Sequence, residues 1–133
     1  RNPKDLDGKQ ISSFVKDKSI MVTGAGGSIG SELVEQCYRY GARCIILLDH
    51  SEFAIYNVLE KHNNDKRLIP VMQSITCIKT YESVFKKFKP DFVFHLAAQA
   101  IVKKSYKNPF DTWQSNLNGT LSVLEALRNL NKK

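Results

Sequence analysis

Short apolar runs alternate along the chain with amphipathic stretches. "SIMVTG", residues 19–24, is rich in β-formers and closed by glycine, which predicts a buried strand. Beyond it Ile29, Leu33, Val34 and Cys37 recur at helical spacing, and Gly41 is placed to end that helix. "RCIILLD", residues 43–49, is a continuous apolar run closed by an acid, as expected of a strand covered on both faces. Phe53, Tyr56 and Leu59 mark a second helix, "KHNNDKR" a loop, and "LIPVM" a third strand whose Pro70 suits an edge. Tyr81, Val84, Phe85 and Phe88 form a third helical stripe stopped by Pro90, and "DFVFHLAA" is a fourth strand. Asn108 and Pro109 read as N-cap and first-turn proline of a last helix, with Trp113, Leu117, Leu121 and Leu124 as its core stripe.

This βαβαβαβα pattern predicts an α/β fold. Right-handed crossovers favour a Rossmann-type parallel sheet in the order 3-2-1-4 with helices on both faces. Residues 1–17 are largely polar, lack periodicity strong enough to define an element apart from Ile11, Phe14 and Val15, and read as a linker or short helix leading into a domain spanning 18–133. The chain starts at Arg1 and its pattern ends after a fourth helix, so it is expected to be the N-terminal part of a larger domain.

The stretch "VTGAGGSIGSEL" sets Gly24, Gly27 and Gly30 three residues apart between the first strand and the first helix. In such a sheet ligands bind beyond the carboxyl ends of the strands, where the winding reverses. A helix start there presents unpaired N–H groups and a favourable dipole to an anion. Asp49, ending the next strand, can accept both hydroxyls of an adenosine ribose. A phosphate-binding lysine after the glycines is excluded, because Gly30 is followed by Ser31 and Glu32. A methyltransferase would use a similar loop and acid, but the glycine spacing favours a dinucleotide pyrophosphate.

Composition changes this picture little. Hydrophobic residues make up 42% and charged residues 25%, ordinary globular values. No apolar run approaches the ~20 residues of a membrane span. Cys37, Cys44 and Cys77 lack metal-ligand spacing, so no metal site is expected; reduced core thiols fit a cytoplasmic setting. The net charge of +7 raises nucleic acid as a partner, but the lysines are scattered without aromatic interleaving, so none is expected. His95, with no acid or nucleophile beside it, reads as a packed, hydrogen-bonded histidine.

"VTGAGGSIGSEL" with "LLDHSEFAIYNV" resembles extended short-chain dehydrogenase/reductases, in particular the nucleotide-sugar 4,6-dehydratases of polysaccharide and flagellin glycosylation that act on UDP-N-acetylglucosamine. "FVFHLAAQAIVKKSYKNPFDTWQSNLNGTLSVLEALR" is more similar to CDP-glucose 4,6-dehydratase, and residues 1–20 are similar to the cytosolic lead-in of members with an N-terminal membrane region. The resemblance implies NAD, with NADP disfavoured, a nucleotide-sugar substrate and a homo-oligomer in the complete enzyme. It puts Gly24, Gly27, Ser28, Ile29 and Gly30 at the pyrophosphate and Asp49, His50 and Ser51 at the ribose. It puts Ser74 and Ile75 beside adenine, Leu96, Ala97, Ala98 and Gln99 along the nicotinamide side, and Asn116 near the cofactor. Asn116 has an equal reading as a partner of a neighbouring turn. Two departures bear on affinity: Gln73-Ser74 stands in place of the usual Gly-Asp, and Ala100 in place of a lysine. No tyrosine has a lysine four residues on, so the pair that abstracts the sugar proton is expected outside this chain. An epimerase, or a catalytically silent NAD-binding module, would use the same cofactor half.

Overall fold

The computed structural model describes residues 7–130, in the order α1 (Gly8–Val15), β1 (Ser19–Thr23), α2 (Ser28–Arg39), β2 (Cys44–Asp49), α3 (Glu52–Lys61), β3 (Leu68–Met72), α4 (Ile78–Phe88), β4 (Phe92–His95), α5 (Val102–Lys107), α6 (Pro109–Trp113), a π-helical turn (Gln114–Asn118) and α7 (Gly119–Leu130). The four strands form one parallel sheet in the expected order β3-β2-β1-β4. Ile20 pairs with Ile45 and Phe92, and Ile45 with Leu68. Pro70 lies on β3, an edge strand, where its missing N–H costs least.

The β-branched and leucine-rich strands β1 and β2 bury both faces, as parallel strands between helix layers do. One layer packs Ile20, Val22, Ile45 and Leu47 against Val34 and Cys37 of α2, Ile55 and Val58 of α3, and Val15 of α1. The other packs Met21, Ile46 and Leu48 against Tyr81, Val84 and Phe85 of α4 and Val123 and Ala126 of α7. Each such side chain contributes about 1.5–3 kcal/mol by leaving water. Burial also pushes the Cys37 thiol up to about 11, so it stays a neutral core group.

Where it is described, the lead-in forms the short helix α1 that was one of its two readings, and it packs on the sheet: Val15 is buried and Phe14 stacks on Phe92 at 4.1 Å. Its first six residues lie outside the described range. Three other expectations need correction. On α3, Phe53 and Tyr56 are exposed, and Ile55 and Val58 face the sheet instead. The fourth strand stops at His95 because the Leu96 and Ala97 amides turn back onto Thr23 Oγ1, each at 3.2 Å.

The third correction concerns the last helix, which is divided in three: α6, the π turn and α7. Asn108 caps α6 as expected, accepting from the Asp111 amide, with Pro109 first in the helix. Trp113, Leu117, Leu121 and Leu124 are nevertheless exposed. The π turn changes the helical phase, and α7 docks through the small residues Gly119, Ser122 and Ala126. A Cβ at Gly119 would stand 2.7 Å from Ile75 Cδ1, so a leucine face could not approach as closely.

One buried group opposes the packing. Tyr81 is fully buried and, among the described residues, its hydroxyl has no hydrogen-bond partner. Burial pushes its phenol well above the ordinary tyrosine range. Tyr81→Phe is therefore expected to raise unfolding free energy by about 1 kcal/mol in urea titrations, since an unsatisfied buried hydroxyl costs roughly 1–3 kcal/mol. A loss of stability would show that the hydroxyl is satisfied after all.

Candidate functional site

Beyond the carboxyl ends of the strands lies an open cleft of about 1340 Å³. It sits where the strand order reverses, between β1 and β4, the place that open parallel sheets use for ligands. The glycine-rich turn forms its floor. Gly24 takes φ +68°, a conformation that side chains disfavour, and donates to Leu48 O at 2.8 Å. A Cβ on Gly24 would stand 2.9 Å from the Ala97 backbone, one on Gly26 2.4 Å from Ala54 Cβ, and one on Gly30 2.0 Å from Gly24 O.

These three glycines are thus required by the protein's own packing. Gly27 differs: its Cβ would meet only Gly24 O, at 3.3 Å, and the residue lines the cleft. Gly27 is also the N-cap of α2, and no side chain caps that helix end or places a negative charge in its first turn. The neighbouring helix α3, by contrast, is capped by Ser51 Oγ accepting from Ala54 N at 3.3 Å. The start of α2 thus offers unsatisfied amides and a positive dipole end above a position free of side chain.

Asp49 fixes the flank of this cradle. It is only 8% exposed, and its two carboxylate oxygens accept from the Gly26 and Ser51 amides, each at 3.0 Å. A carboxylate has about four lone-pair sites, so each oxygen keeps one for a further donor. His50 is exposed, with its Nδ1 3.4 Å from Asp49 Oδ1. Ser74 Oγ accepts from the Thr76 amide at 3.3 Å and shares a hydrogen bond with Thr76 Oγ1 at 2.9 Å.

The opposite wall follows β4. Thr23 Oγ1 already accepts two amides, so its hydroxyl donates to His95 Nδ1 at 2.7 Å. The imidazole then carries its proton on Nε2, donating to Thr120 Oγ1 at 3.2 Å, and Thr120 donates to Asn116 O at 2.8 Å. Burial lowers the His95 pKa, which keeps the ring neutral in this chain of bonds. His95 is a strap between β1 and α7, as its sequence context suggested. Asn116 Oδ1 accepts from Gln99 N at 2.7 Å and its Nδ2 donates to Gln99 O at 3.1 Å. Its amide is thereby committed to the neighbouring turn.

Of the residues singled out from sequence, the cleft brings together Gly24, Gly27, Ser28, Asp49, His50, Ser51, Ser74, Ile75, Leu96, Ala97, Ala98 and Gln99. Ile29, Gly30 and Asn116 stand outside its lining. Gly26 and Ala54 were missed, although the doubled glycine was visible in the sequence. So was the wall of Lys104, Lys107, Asn108, Thr112, Gln114 and Ser115, which is built by α5, α6 and the π turn. Among the described residues no group of His, Cys, Asp or Glu could hold a metal ion.

The parallel 3-2-1-4 sheet, the glycine turn and the uncapped helix define a Rossmann-type α/β unit. Residues 20–133 match the polysaccharide biosynthesis protein family, and the chain belongs to that family. It is 36% identical over 132 residues to the capsular polysaccharide biosynthesis protein CapD of Staphylococcus aureus, covering 96% of this chain and 22% of that protein. It is 38% identical over 122 residues to CDP-glucose 4,6-dehydratase of Salmonella typhimurium, covering 87% and 32%. Among solved structures, UDP-glucose 4-epimerase of Thermus thermophilus in complex with NAD is similar at a TM-score of 0.68 and 32% identity, over 84% of this chain and 34% of that one. The chain thus spans between about a fifth and a third of these proteins.

Proposed function

We propose that the chain is the NAD-binding part of a nucleotide-sugar 4,6-dehydratase of polysaccharide biosynthesis, acting in the cytoplasm on UDP-N-acetylglucosamine or CDP-glucose. The observation that carries this reading is the uncapped start of α2 beneath Gly27, flanked by the Asp49 carboxylate. The amides of that first turn would take the pyrophosphate, and the open lone pairs of Asp49 the ribose hydroxyls. Ser74 and Ile75, at the end of β3, would flank the adenine, and Leu96 to Gln99 the nicotinamide. Bound there, NAD supplies hydride acceptance and return; the chain's own part is to hold it and exclude water from one face. The 38% identity to a CDP-glucose 4,6-dehydratase supports the dehydratase reading, and an epimerase would use the same cofactor half.

Cofactor choice tests the reading. A 2′-phosphate would meet the Asp49 carboxylate, and among the described residues no arginine lines the cleft to neutralise it. Calorimetric titration is expected to show NAD binding at least about 10-fold tighter than NADP. Asp49→Asn should weaken NAD by about 1–3 kcal/mol, the worth of charge-assisted bonds to the ribose, and narrow the preference. Tighter binding of NADP would contradict the assignment.

A further inference from the structure

In a parallel sheet every strand starts at the same end, so the turns that enter β1, β2, β3 and β4 gather at the pole opposite the cleft. Hydrogen bonds tie those turns into one surface. Asp17 N donates to Gly41 O at 2.9 Å, Arg43 N to Lys18 O at 2.8 Å, and Ile45 N to Arg67 O and Asp91 N to Ser19 O, each at 2.7 Å. Helix α1 lies across the same pole. A Cβ on Gly8 would stand 3.6 Å from Tyr40 Oη beside the end of α2, and Phe14 stacks on Phe92 at the start of β4. Three strand spacings make the pole about 15 Å wide between its outer strands.

The charge of this pole is strongly positive. Lys16 and Lys18 flank Asp17 before β1, Arg43 precedes β2, Lys66 precedes β3, and Lys86 and Lys89 stand at the end of α4 before β4. All but the half-buried Lys18 are exposed, and among the described residues none has a carboxylate within 4.0 Å. Glu35, Asp65 and Glu125 are already paired, with Lys61, Arg67 and Arg128. Asp17, Glu60 and Asp91 remain against the six cations, and Asp91 Oδ2 is turned onto Ser19 N at 2.8 Å. Lys16 and Lys89 stand at helix C-caps, where a cation meets the negative end of the dipole. Lys18, Arg43 and Lys66 serve no helix end. Nor do they serve the cofactor cleft, which lies a strand length away, about 15–20 Å, against a screening length of about 10 Å.

We propose that this pole rests on an anionic lipid bilayer, with the cleft facing away from it. Three observations favour a bilayer over nucleic acid. The cations are spread over the turns of all four strands rather than along a groove. Helices α2, α3 and α4 bring their C-termini here, so no cradle of helix amides receives a phosphodiester. Phe14 is half exposed on a helix lying flat across the pole, with Ile11 and Val15 packed on the core, and offers its ring to the headgroup region. Each cation at an anionic leaflet strengthens partitioning about fivefold, the equivalent of about 1 kcal/mol.

The test is sedimentation of the chain with two kinds of vesicle at about 0.1 M salt. One is phosphatidylcholine alone, the other equal parts phosphatidylcholine and phosphatidylglycerol. The double variant Lys66→Gln/Lys89→Gln is compared with Lys79→Gln/Lys103→Gln, which removes the same charge from exposed positions toward the opposite end. The expected result is binding to the anionic vesicles only, weakened at least about 10-fold in the first double variant and less than about threefold in the second. Raising the salt to about 1 M should abolish it. Circular dichroism melts check that both variants fold; should the first fail, Lys16→Gln/Lys86→Gln reads the same pole from its other two turns. Equal binding to neutral vesicles, no binding to anionic ones, or equal losses in the two doubles would overturn the proposal. So would a duplex oligonucleotide that strips the chain from the vesicles at equal phosphate concentration, which would give the pole to nucleic acid.

Discussion

Gly30→Ala is expected to unfold the protein or to remove at least about 3 kcal/mol of its stability, out of the 5–15 kcal/mol typical of a domain. The added Cβ would lie 2.0 Å from Gly24 O and 2.8 Å from Gly24 C. Both are backbone atoms, and Gly24 is itself held by its bonds to Leu48 O and from Gly27 N. The turn cannot yield without lifting α2 off the sheet. Gly27→Ala is the matched contrast. Its Cβ would need a shift of only a few tenths of an ångström at Gly24 O, so stability should fall by less than about 1 kcal/mol. The methyl group would instead stand in the floor of the cleft, and NAD affinity should drop at least about 10-fold. Urea denaturation and NAD titration on the two variants separate the roles. A Gly30→Ala protein as stable as the parent would contradict the packing account.

The second large effect is catalytic. The residues four places beyond Tyr38, Tyr40, Tyr56, Tyr81 and Tyr106 are Ala42, Cys44, Glu60, Phe85 and Phe110. None is lysine, so no tyrosine here has the neighbour that would ionise it against a sugar hydroxyl. A positioned general base contributes about 10²–10⁴-fold and substrate positioning still more. The 133-residue chain with NAD and UDP-N-acetylglucosamine or CDP-glucose is therefore expected to yield no detectable 4-keto-6-deoxy sugar. Product formed by the chain alone would contradict this.

The strand order was legible because β1 and β2 are continuous apolar runs that only a doubly covered parallel sheet buries. The glycine spacing and Asp49 were legible because they depend on local backbone geometry, which sequence encodes directly. The last helix was not. A leucine stripe at helical spacing looks like a core face, but a π turn at Gln114–Asn118 resets the phase, and the close packing of α7 selects Gly119, Ser122 and Ala126. Spacing alone cannot reveal an inserted residue in a helical ladder. Lys104 and Lys107 reach the cleft on α5, a separate short helix that the apolar pattern did not predict, so their place was hidden too. At Phe53 and Tyr56 the helix was read correctly and its face incorrectly, since bulky aromatics outweighed the smaller Ile55 and Val58 in the pattern.

The cofactor assignment requires the pyrophosphate to lie over Gly27 at the start of α2. A crystal structure of the chain with NAD measures this directly. The predicted result is density for the pyrophosphate with oxygens about 2.7–3.2 Å from amides of the first turn of α2, and the adenosine ribose on Asp49. NAD held elsewhere in the cleft, with the α2 amides turned to solvent, would contradict it.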